Sequence, residues 1–174
     1  ILLATSTHDG EEALIASAHK SLVAQGVRDL LTIIAPRHPD RGPAIVETMR
    51  AAGLSAALRS QGARPLAGTD VYIADTIGEL GTLYRLARVA FVGGSLVPHG
   101  GQNPIEAIRH GAGVLTGPHG GNFLEIYRML ARHGGAITIT SAETIATETR
   151  RLLQNPDALA ALNTGARNAL DQMS

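Results

Sequence analysis

The sequence of 174 residues contains no cysteine, which excludes a disulfide framework and a thiolate metal site. Aromatic residues make up only 3% of the chain, too few for the platforms on which nucleic-acid bases stack. The 15 Lys and Arg residues are balanced by 15 Asp and Glu residues without a basic block, so we expect no nucleic-acid partner. No apolar run approaches the ~20 residues needed to cross a bilayer, and we expect this chain to be soluble.

The residues that are present predict one folded domain over positions 1–174. Apolar residues make up 44% of the chain, which is sufficient for a core. The first residues, Ile1 to Ala4, are neither an initiator methionine nor a signal peptide. We interpret them as the first strand of a domain that belongs to a longer protein.

Short apolar runs alternate along the chain with longer helical patterns. We predict strands at 1–5, 29–35, 71–74, 88–93, 113–116 and 135–139, with a weaker one near 54–58. We predict helices at 10–25, 40–52, 78–87, 103–111, 121–132, 141–154 and 156–171. The strands are continuously apolar, as expected when helices cover both faces of a sheet. The alternation therefore predicts an α/β fold with a doubly wound parallel sheet and right-handed crossovers.

Five loops that follow predicted strands carry polar side chains and glycines. They span 6–12, 36–41, 75–80, 93–106 and 117–123. Ligands of open parallel sheets bind beyond the carboxyl ends of the strands. The sequence therefore predicts a binding site on this edge of the sheet.

Glycines in two of these loops suggest a site for a phosphate. Gly78 and Gly93-Gly94 lie in turns near predicted helix starts, whose first N–H groups and positive dipole end favour anions. The alternative is that these glycines only permit tight turns with positive φ. The G-x-G-x-x-G and G-x-x-x-x-G-K-[ST] fingerprints of dinucleotide and P-loop sites are absent.

Arg37 and His38 place a guanidinium and an imidazole directly after the second strand. Both side chains can donate to a phosphate or a carboxylate. The alternative is that Arg37 forms a surface ion pair with Asp40 or Glu47, which would contribute little. The residue types alone do not separate these two interpretations.

Acidic residues near the predicted helix starts are open to two interpretations. Glu106 follows Asn103 by three residues, and Glu79 follows Thr76 by three, so both pairs have the spacing of a capping box. On spacing alone we interpret both as capping boxes, and the alternative is a carboxylate that accepts hydrogen bonds from ribose hydroxyls at the helix start. The Glu11-Glu12 pair is explained by stabilisation of the helix dipole.

No pattern in the sequence indicates a metal site or a serine nucleophile. The seven histidines are scattered, and neither H-E-x-x-H, D-x-D nor any other metal-ligand spacing is present. We therefore expect no metal and no other cofactor. Without a G-x-S-x-G elbow, Ser95 is a poor candidate for a nucleophile.

Six short motifs, taken together and in order, resemble the C-terminal domain of the 3-deoxy-D-manno-octulosonic acid (Kdo) transferases of lipopolysaccharide synthesis. They are STHDGEE at 6–12, PRHP at 36–39, DTIGEL at 75–80, FVGGSL at 91–96, GGQNPIE at 100–106 and GPH…NF at 117–123. Two positions depart from the family pattern, since Gln102 stands where His is usual and Ile77 stands where Met is common. Gln102 keeps a donor but cannot titrate, and this departure puts a proton-transfer role at position 102 in doubt.

The resemblance implies the Rossmann-like C-terminal half of a GT-B glycosyltransferase. This half would bind the donor CMP-Kdo without a metal. The acceptor would be a lipid A precursor, met through an N-terminal domain that this chain lacks, at the cytoplasmic face of the bacterial inner membrane. The general base would be a Glu of that N-terminal domain, so no catalytic residue is expected in this chain, which alone should be inactive.

The resemblance also implies a set of donor-binding residues. They are His8, Pro36, Arg37, His38, Ile77, Gly78, Glu79, Gly94, Ser95, Gln102, Asn103 and Glu106. Arg37, His38 and the amides near Gly78 and Gly94-Ser95 would meet the phosphate, whereas Asn103 and Glu106 would hold ribose hydroxyls. The Pro36-Arg37 backbone would read the cytosine edge. The alternatives are another GT-B transferase, a UDP-sugar 2-epimerase, or a non-catalytic nucleotide-binding module.

Overall fold

The computed structural model describes residues 1–173, which form a seven-stranded sheet with every strand pair parallel. The strands are β1 (Leu2–Thr7), β2 (Thr32–Pro36), β3 (Ala56–Leu58), β4 (Val71–Ile73), β5 (Val89–Val92), β6 (Gly113–Thr116) and β7 (Ala136–Thr138). The helices are α1 (Glu11–Ala24), α2 (Gly42–Ala51), α3 (Leu80–Leu86), α4 (Ile105–Arg109), α5 (Leu124–Arg132), α6 (Ala142–Gln154) and α7 (Pro156–Met173). Short 3-10 turns lie at Pro39–Arg41, Arg59–Gln61 and Gly121–Phe123.

The strand order is β3-β4-β2-β1-β5-β6-β7. The chain leaves β1 toward one edge of the sheet, returns to the centre at β5, and then continues toward the other edge. Leu3 of β1 is accordingly paired with Ile33 of β2 on one side and with Ala90 of β5 on the other. The predicted doubly wound parallel sheet is confirmed, and its switch point lies between β1 and β5.

Each face of the sheet is covered by its own apolar layer. Leu2 and Phe91 point to the layer that contains the buried residues of α1, α2 and α6, and both are completely buried. Leu3 and Val92, the next residue along each strand, point to the opposite layer, with α3, α4 and α5. Alternate residues of one strand thus enter different cores, which explains why the strands are continuously apolar.

Predicted element boundaries are wrong where the backbone leaves the allowed region for a helix or strand. Strand β2 starts at Thr32 rather than at 29, because Asp29 adopts a φ of 54°. Helix α3 starts at Leu80 rather than at 78, because Gly78 has a φ of 91°. Helix α4 is followed by Gly111, whose φ is 83°. Turns with positive φ therefore shorten elements that apolar patterning extends.

Candidate functional site

The carboxyl ends of β1 and β5 lie side by side at the switch point of the sheet. The chain turns toward opposite edges after these strands, which opens a crevice between the loops. Because all strands are parallel, the five loops after β1, β2, β4, β5 and β6 all lie at the carboxyl ends of the strands. The predicted convergence of these loops is confirmed.

Glu11, in the first turn of α1, holds two of these loops together. Its carboxylate is completely buried and accepts hydrogen bonds from the backbone N–H groups of His8 (2.9 Å), Gly94 (2.7 Å), Ser95 (3.2 Å) and Leu96 (2.9 Å). A run of backbone amides that point to one position forms an anion-binding concavity. Here the protein fills that concavity with its own side chain.

The expectation that the amides of Gly94 and Ser95 face a ligand phosphate is therefore wrong. Both N–H groups donate to Glu11, and a buried donor already engaged in a charge-assisted bond is not available to a second anion. The interpretation of Glu11 as a helix-dipole residue is incomplete, because its main contacts are with the loop after β5. The sequence signal that could have indicated this contact is the Gly93-Gly94-Ser95 run, whose amides need an acceptor.

Ser95 joins the loop after β5 to the loop after β6. Its hydroxyl donates to the carbonyl of Val92 (2.7 Å) and accepts from the N–H of Gly117 (2.9 Å), and the residue is completely buried. The side chain is thus committed to the scaffold of the site.

The ends of β1 and β5 are in close backbone contact. A Cβ built on Gly93 would lie 2.7 Å from the carbonyl oxygen of Ser6 and 2.8 Å from that of Thr5, so only glycine fits here. Ser6 itself adopts a φ of 55°, an uncommon conformation for a residue with a side chain. These constraints fix the edge of the crevice before any ligand binds.

A cleft of about 390 Å³ opens beside this contact, and we call it the rim cleft. Its lining residues are Ser6, Ala35, Pro36, Arg37, Pro39, Ala74, Thr76, Ile77, Gly78, Leu80 and Gln102. The cleft brings together five of the predicted donor-binding residues: Pro36, Arg37, Ile77, Gly78 and Gln102. These residues come from loops after three different strands, which is typical of a ligand site in a parallel sheet.

Arg37 is exposed at the wall of the rim cleft. Its backbone N–H donates to the carbonyl of Thr7 (3.1 Å), which fixes the start of the loop. Within residues 1–173 its guanidinium forms no ion pair, and Glu47 instead lies 3.6 Å from Arg50. The proposed surface pair with Asp40 or Glu47 is not formed, so this guanidinium remains available to a ligand.

Glu79 lies beside the rim cleft rather than in its lining. Its Oε1 accepts hydrogen bonds from the Arg59 guanidinium (2.7 Å) and from the Thr76 hydroxyl (2.8 Å). The Arg59 bond, followed by the Thr76 bond, lowers the pKa of Glu79. The predicted capping box with Thr76 is absent, because Glu79 binds the Thr76 hydroxyl rather than its backbone N–H.

Replacing Arg59 with alanine should raise the pKa of the Glu79 carboxyl toward that of an ordinary glutamate. The guanidinium is the first cause of the lowered pKa, and the Thr76 hydroxyl alone gives weaker support. A carbon-13 NMR titration of the side-chain carboxyls would measure the change, with Arg50→Ala as the control. An unchanged pKa of Glu79 in Arg59→Ala would contradict the pairing.

Asn103 and Glu106 line a neighbouring groove of about 440 Å³, together with Ile105, Arg109 and His110. The Asn103 side chain accepts a hydrogen bond from the N–H of Ile105 (2.9 Å), and α4 starts at Ile105, two residues later than predicted. No hydrogen bond joins Glu106 to the backbone of Asn103 within residues 1–173, so the predicted capping box is absent here too. Glu106 is exposed and points toward Gly81 of α3, leaving its carboxylate accessible.

Gln102 belongs to the loop after β5 and lines the rim cleft. Its backbone carbonyl accepts a hydrogen bond from the Tyr127 hydroxyl (2.7 Å), and burial raises the pKa of Tyr127 to about 12. A Cβ built on Gly94 would lie 3.3 Å from Gln102 Nε2 and 3.2 Å from His8 Cε1. The side chains of Gln102 and His8 therefore flank the same glycine.

His8, His38 and His99 form a histidine cluster at this edge of the sheet. The rings of His8 and His99 are stacked with centroids 4.2 Å apart, and His38 lies edge-on to His8 at 6.0 Å. Burial, and then the proximity of His99, lower the pKa of His8. Sequence reasoning included His8 and His38 but missed His99, because the three rings come from three separate loops.

A separate cavity of about 740 Å³ lies at the opposite end of the strands. Two segments line it: Val23 with the residues from Gly26 to Leu31, and the residues from Pro65 to Asp70. These segments precede β2 and β4, so the cavity is at the amino ends of the strands. It contains none of the predicted site residues.

Comparisons with known proteins identify relatives of the chain. The 3-deoxy-D-manno-octulosonic acid transferase of Haemophilus influenzae is 39% identical over 141 residues, and that of Bordetella pertussis is 37% identical over 171 residues. The C-terminal CMP-Kdo binding domain of WaaA from Acinetobacter baumannii is 32% identical, with a TM-score of 0.92 over 97% of this chain and 88% of that one. The chain belongs to the Kdo transferase family. No protein-family model matches it.

The match covers the C-terminal part of a Kdo transferase. The alignments span 81% and 96% of this chain but only 33% and 40% of the Haemophilus and Bordetella proteins. The C-terminal domain of the glycosyl transferase LpcC from Francisella tularensis shares the fold alone, with a TM-score of 0.66 at 13% identity. The predicted membership of the Kdo transferase family and the predicted Rossmann-like fold are confirmed.

Neither a metal-ligand cluster nor a membrane-spanning helix is found within residues 1–173. Within residues 1–173, no group of three or more His, Cys, Asp or Glu side chains is arranged to hold a metal ion. None of the helices in the same range combines the length and the hydropathy of a membrane span.

Proposed function

We propose that this chain binds CMP-Kdo as the donor-binding half of a Kdo transferase. The observation that carries the proposal is the rim cleft, which places the guanidinium of Arg37, unpaired within residues 1–173, at the carboxyl ends of the strands next to the switch point. The similarity to a domain described as CMP-Kdo binding supports the choice of ligand. The full-length protein would transfer Kdo to a lipid A precursor in lipopolysaccharide synthesis, at the cytoplasmic face of the inner membrane.

In this proposal the nucleotide lies along the rim cleft. The backbone of Pro36 and Arg37 would read the cytosine edge, and Ile77 would cover the apolar side of the nucleoside. Ile77 is 88% exposed, which is unusual for a large apolar side chain and fits contact with a ligand. The side chains of Asn103 and Glu106, in the neighbouring groove, would accept hydrogen bonds from the ribose hydroxyls.

The chemistry of transfer requires stabilisation of the leaving phosphate. An acceptor hydroxyl attacks the anomeric carbon of Kdo, the bond from that carbon to the phosphate oxygen breaks, and CMP leaves with an additional negative charge. Fixed donors aimed at such charge lower the barrier. Arg37 and the N–H of Gly78 would supply them, because the amides after β5 are engaged by Glu11.

The proton of the acceptor hydroxyl would be taken by a general base outside this chain. We propose that the base is a Glu of an N-terminal domain and that the two domains enclose the donor between them. This chain alone would therefore bind donor but transfer no sugar. No metal is required in the proposal, since the guanidinium and amide donors carry the stabilisation.

Calorimetric titration with CMP, CDP and UMP tests the proposal. We expect CMP to bind more tightly than UMP, because only cytosine offers an amino donor at the edge that faces the Pro36-Arg37 backbone. A preference for uridine would instead support another GT-B transferase or a UDP-sugar 2-epimerase. Equal binding or no binding of the three nucleotides would contradict the proposed donor and leave a non-catalytic module as the alternative.

A further inference from the structure

The histidine cluster lies directly beside the rim cleft but has no part in the contacts assigned to CMP, apart from His38. His38 follows Arg37, which lines the cleft, and His8 shares the surroundings of Gly94 with Gln102, which also lines it. His38 and His8 therefore adjoin residues that line the cleft, although none of the three histidines is itself part of the lining. A ligand that extends from the cleft toward the loop after β5 would approach them.

We propose that His8, His38 and His99 form a second anion site, which takes the carboxylate of the donor sugar. This inference rests on the proposed function, because it assumes that the nucleotide part of the donor occupies the rim cleft. In CMP-Kdo the carboxylate and the phosphate oxygen are both bonded to the anomeric carbon of Kdo. A nucleotide phosphate at Arg37 would thus bring that carboxylate close to the neighbouring rings.

The arrangement of the three rings favours an anion. The stacked rings of His8 and His99 are 4.2 Å apart, so protonation of one opposes protonation of the other unless a negative charge lies nearby. His8 is nine-tenths buried, and its Nδ1 lies 3.9 Å from Glu11 Oε1, beyond hydrogen-bond distance. Glu11 is thus the negative charge already next to His8, and its carboxylate also accepts hydrogen bonds from four backbone amides.

Besides Glu11 and the neighbouring Arg37, the charged groups around the cluster are paired with each other or lie apart from it. On the loop after β1, Asp9 is exposed and lies 3.7 Å from Arg41, and Glu12 forms a two-bond pair with the same Arg41. On the loop after β2, Asp40 is exposed. The loop from 93 to 104 carries no charged side chain besides His99. An incoming carboxylate would therefore face the three rings together with Arg37, with Glu11 as the carboxylate already next to His8.

Replacement of His99 by phenylalanine tests the site, because it keeps a ring to stack on His8 but removes the donor and the charge. We expect His99→Phe to lower the affinity for CMP-Kdo by about tenfold or more, the effect of losing a charge-assisted hydrogen bond. The affinity for CMP should stay unchanged.

The matched control is His133→Phe, since His133 follows α5 at the other edge of the sheet. Equal affinity of CMP-Kdo for the native chain and His99→Phe, with CMP binding intact, would overturn the anion site and leave the proposed function standing. Inorganic phosphate provides a further arm: if His99→Phe weakens phosphate but not CMP-Kdo, the cluster binds a free phosphate and the carboxylate assignment is overturned. Absence of binding for both nucleotides would overturn the proposed function itself.

Discussion

Replacing Glu11 with alanine should lower the free energy of unfolding by about 3–5 kcal/mol. The change removes a completely buried carboxylate and leaves four backbone N–H groups without an acceptor. Each unsatisfied buried donor costs roughly 1–3 kcal/mol, but water and relaxation of the loop should recover part of the sum. Denaturant unfolding followed by circular dichroism would measure the loss.

Glu11→Gln and Glu47→Ala complete this experiment. The glutamine keeps one oxygen acceptor but directs its amide N–H groups toward two of the backbone donors. We therefore expect Glu11→Gln to lower the free energy of unfolding by about half as much as Glu11→Ala. Glu47 is exposed on α2 and, within residues 1–173, forms an ion pair only with Arg50, so its removal should change the free energy of unfolding by less than about 0.5 kcal/mol. If Glu11→Ala and Glu47→Ala were equally stable, Glu11 would not be what holds the two loops together.

Arg37→Ala should weaken CMP binding by about 1.5–3 kcal/mol, which corresponds to roughly 10- to 150-fold. The guanidinium lines the rim cleft and is committed to no ion pair within residues 1–173, so the variant loses a ligand contact without disturbing the fold. Arg37→Lys should restore part of the affinity, since it keeps the charge but loses the two-pronged geometry that matches a phosphate. Calorimetry would give the affinities.

Arg50→Ala is the control for this comparison, because Arg50 is an exposed arginine of α2 outside the rim cleft. Its removal should leave CMP affinity unchanged at physiological ionic strength, where exposed charges beyond a Debye length are screened. A CMP affinity that is the same in Arg37→Ala and Arg50→Ala would remove Arg37 from the site. Unfolding curves of both variants would show that the comparison is between folded proteins.

Most of the fold can be predicted from the sequence, because its physical causes are local. A continuously apolar run such as 88–93 has few alternatives to a strand buried on both faces, and Asn155-Pro156 marks the start of α7 as predicted. The order of β3 and β4 could not be predicted. Both strands have three residues, and β4 lies inside β3 rather than beyond it, a choice made by packing across the sheet.

The site is less predictable, since its key contacts join residues far apart in the chain. The motifs identify the loops that lie together at the carboxyl ends of the strands. The residue spacing, however, predicts capping boxes for Glu79 and Glu106, and neither box forms in the structure. Glu11 meets the Gly94 amide across 83 positions of sequence, and no periodicity reports such a contact. The stacking of His99 on His8 is hidden for the same reason.

A crystal structure of this chain with CMP tests the central claim most directly. We expect the nucleotide in the rim cleft, with its phosphate within hydrogen-bond distance of the Arg37 guanidinium and with the Glu11 contacts to the loop after β5 unchanged. Nucleotide bound in the cavity at the amino ends of the strands, or a phosphate held by the Gly94 and Ser95 amides in place of Glu11, would contradict it.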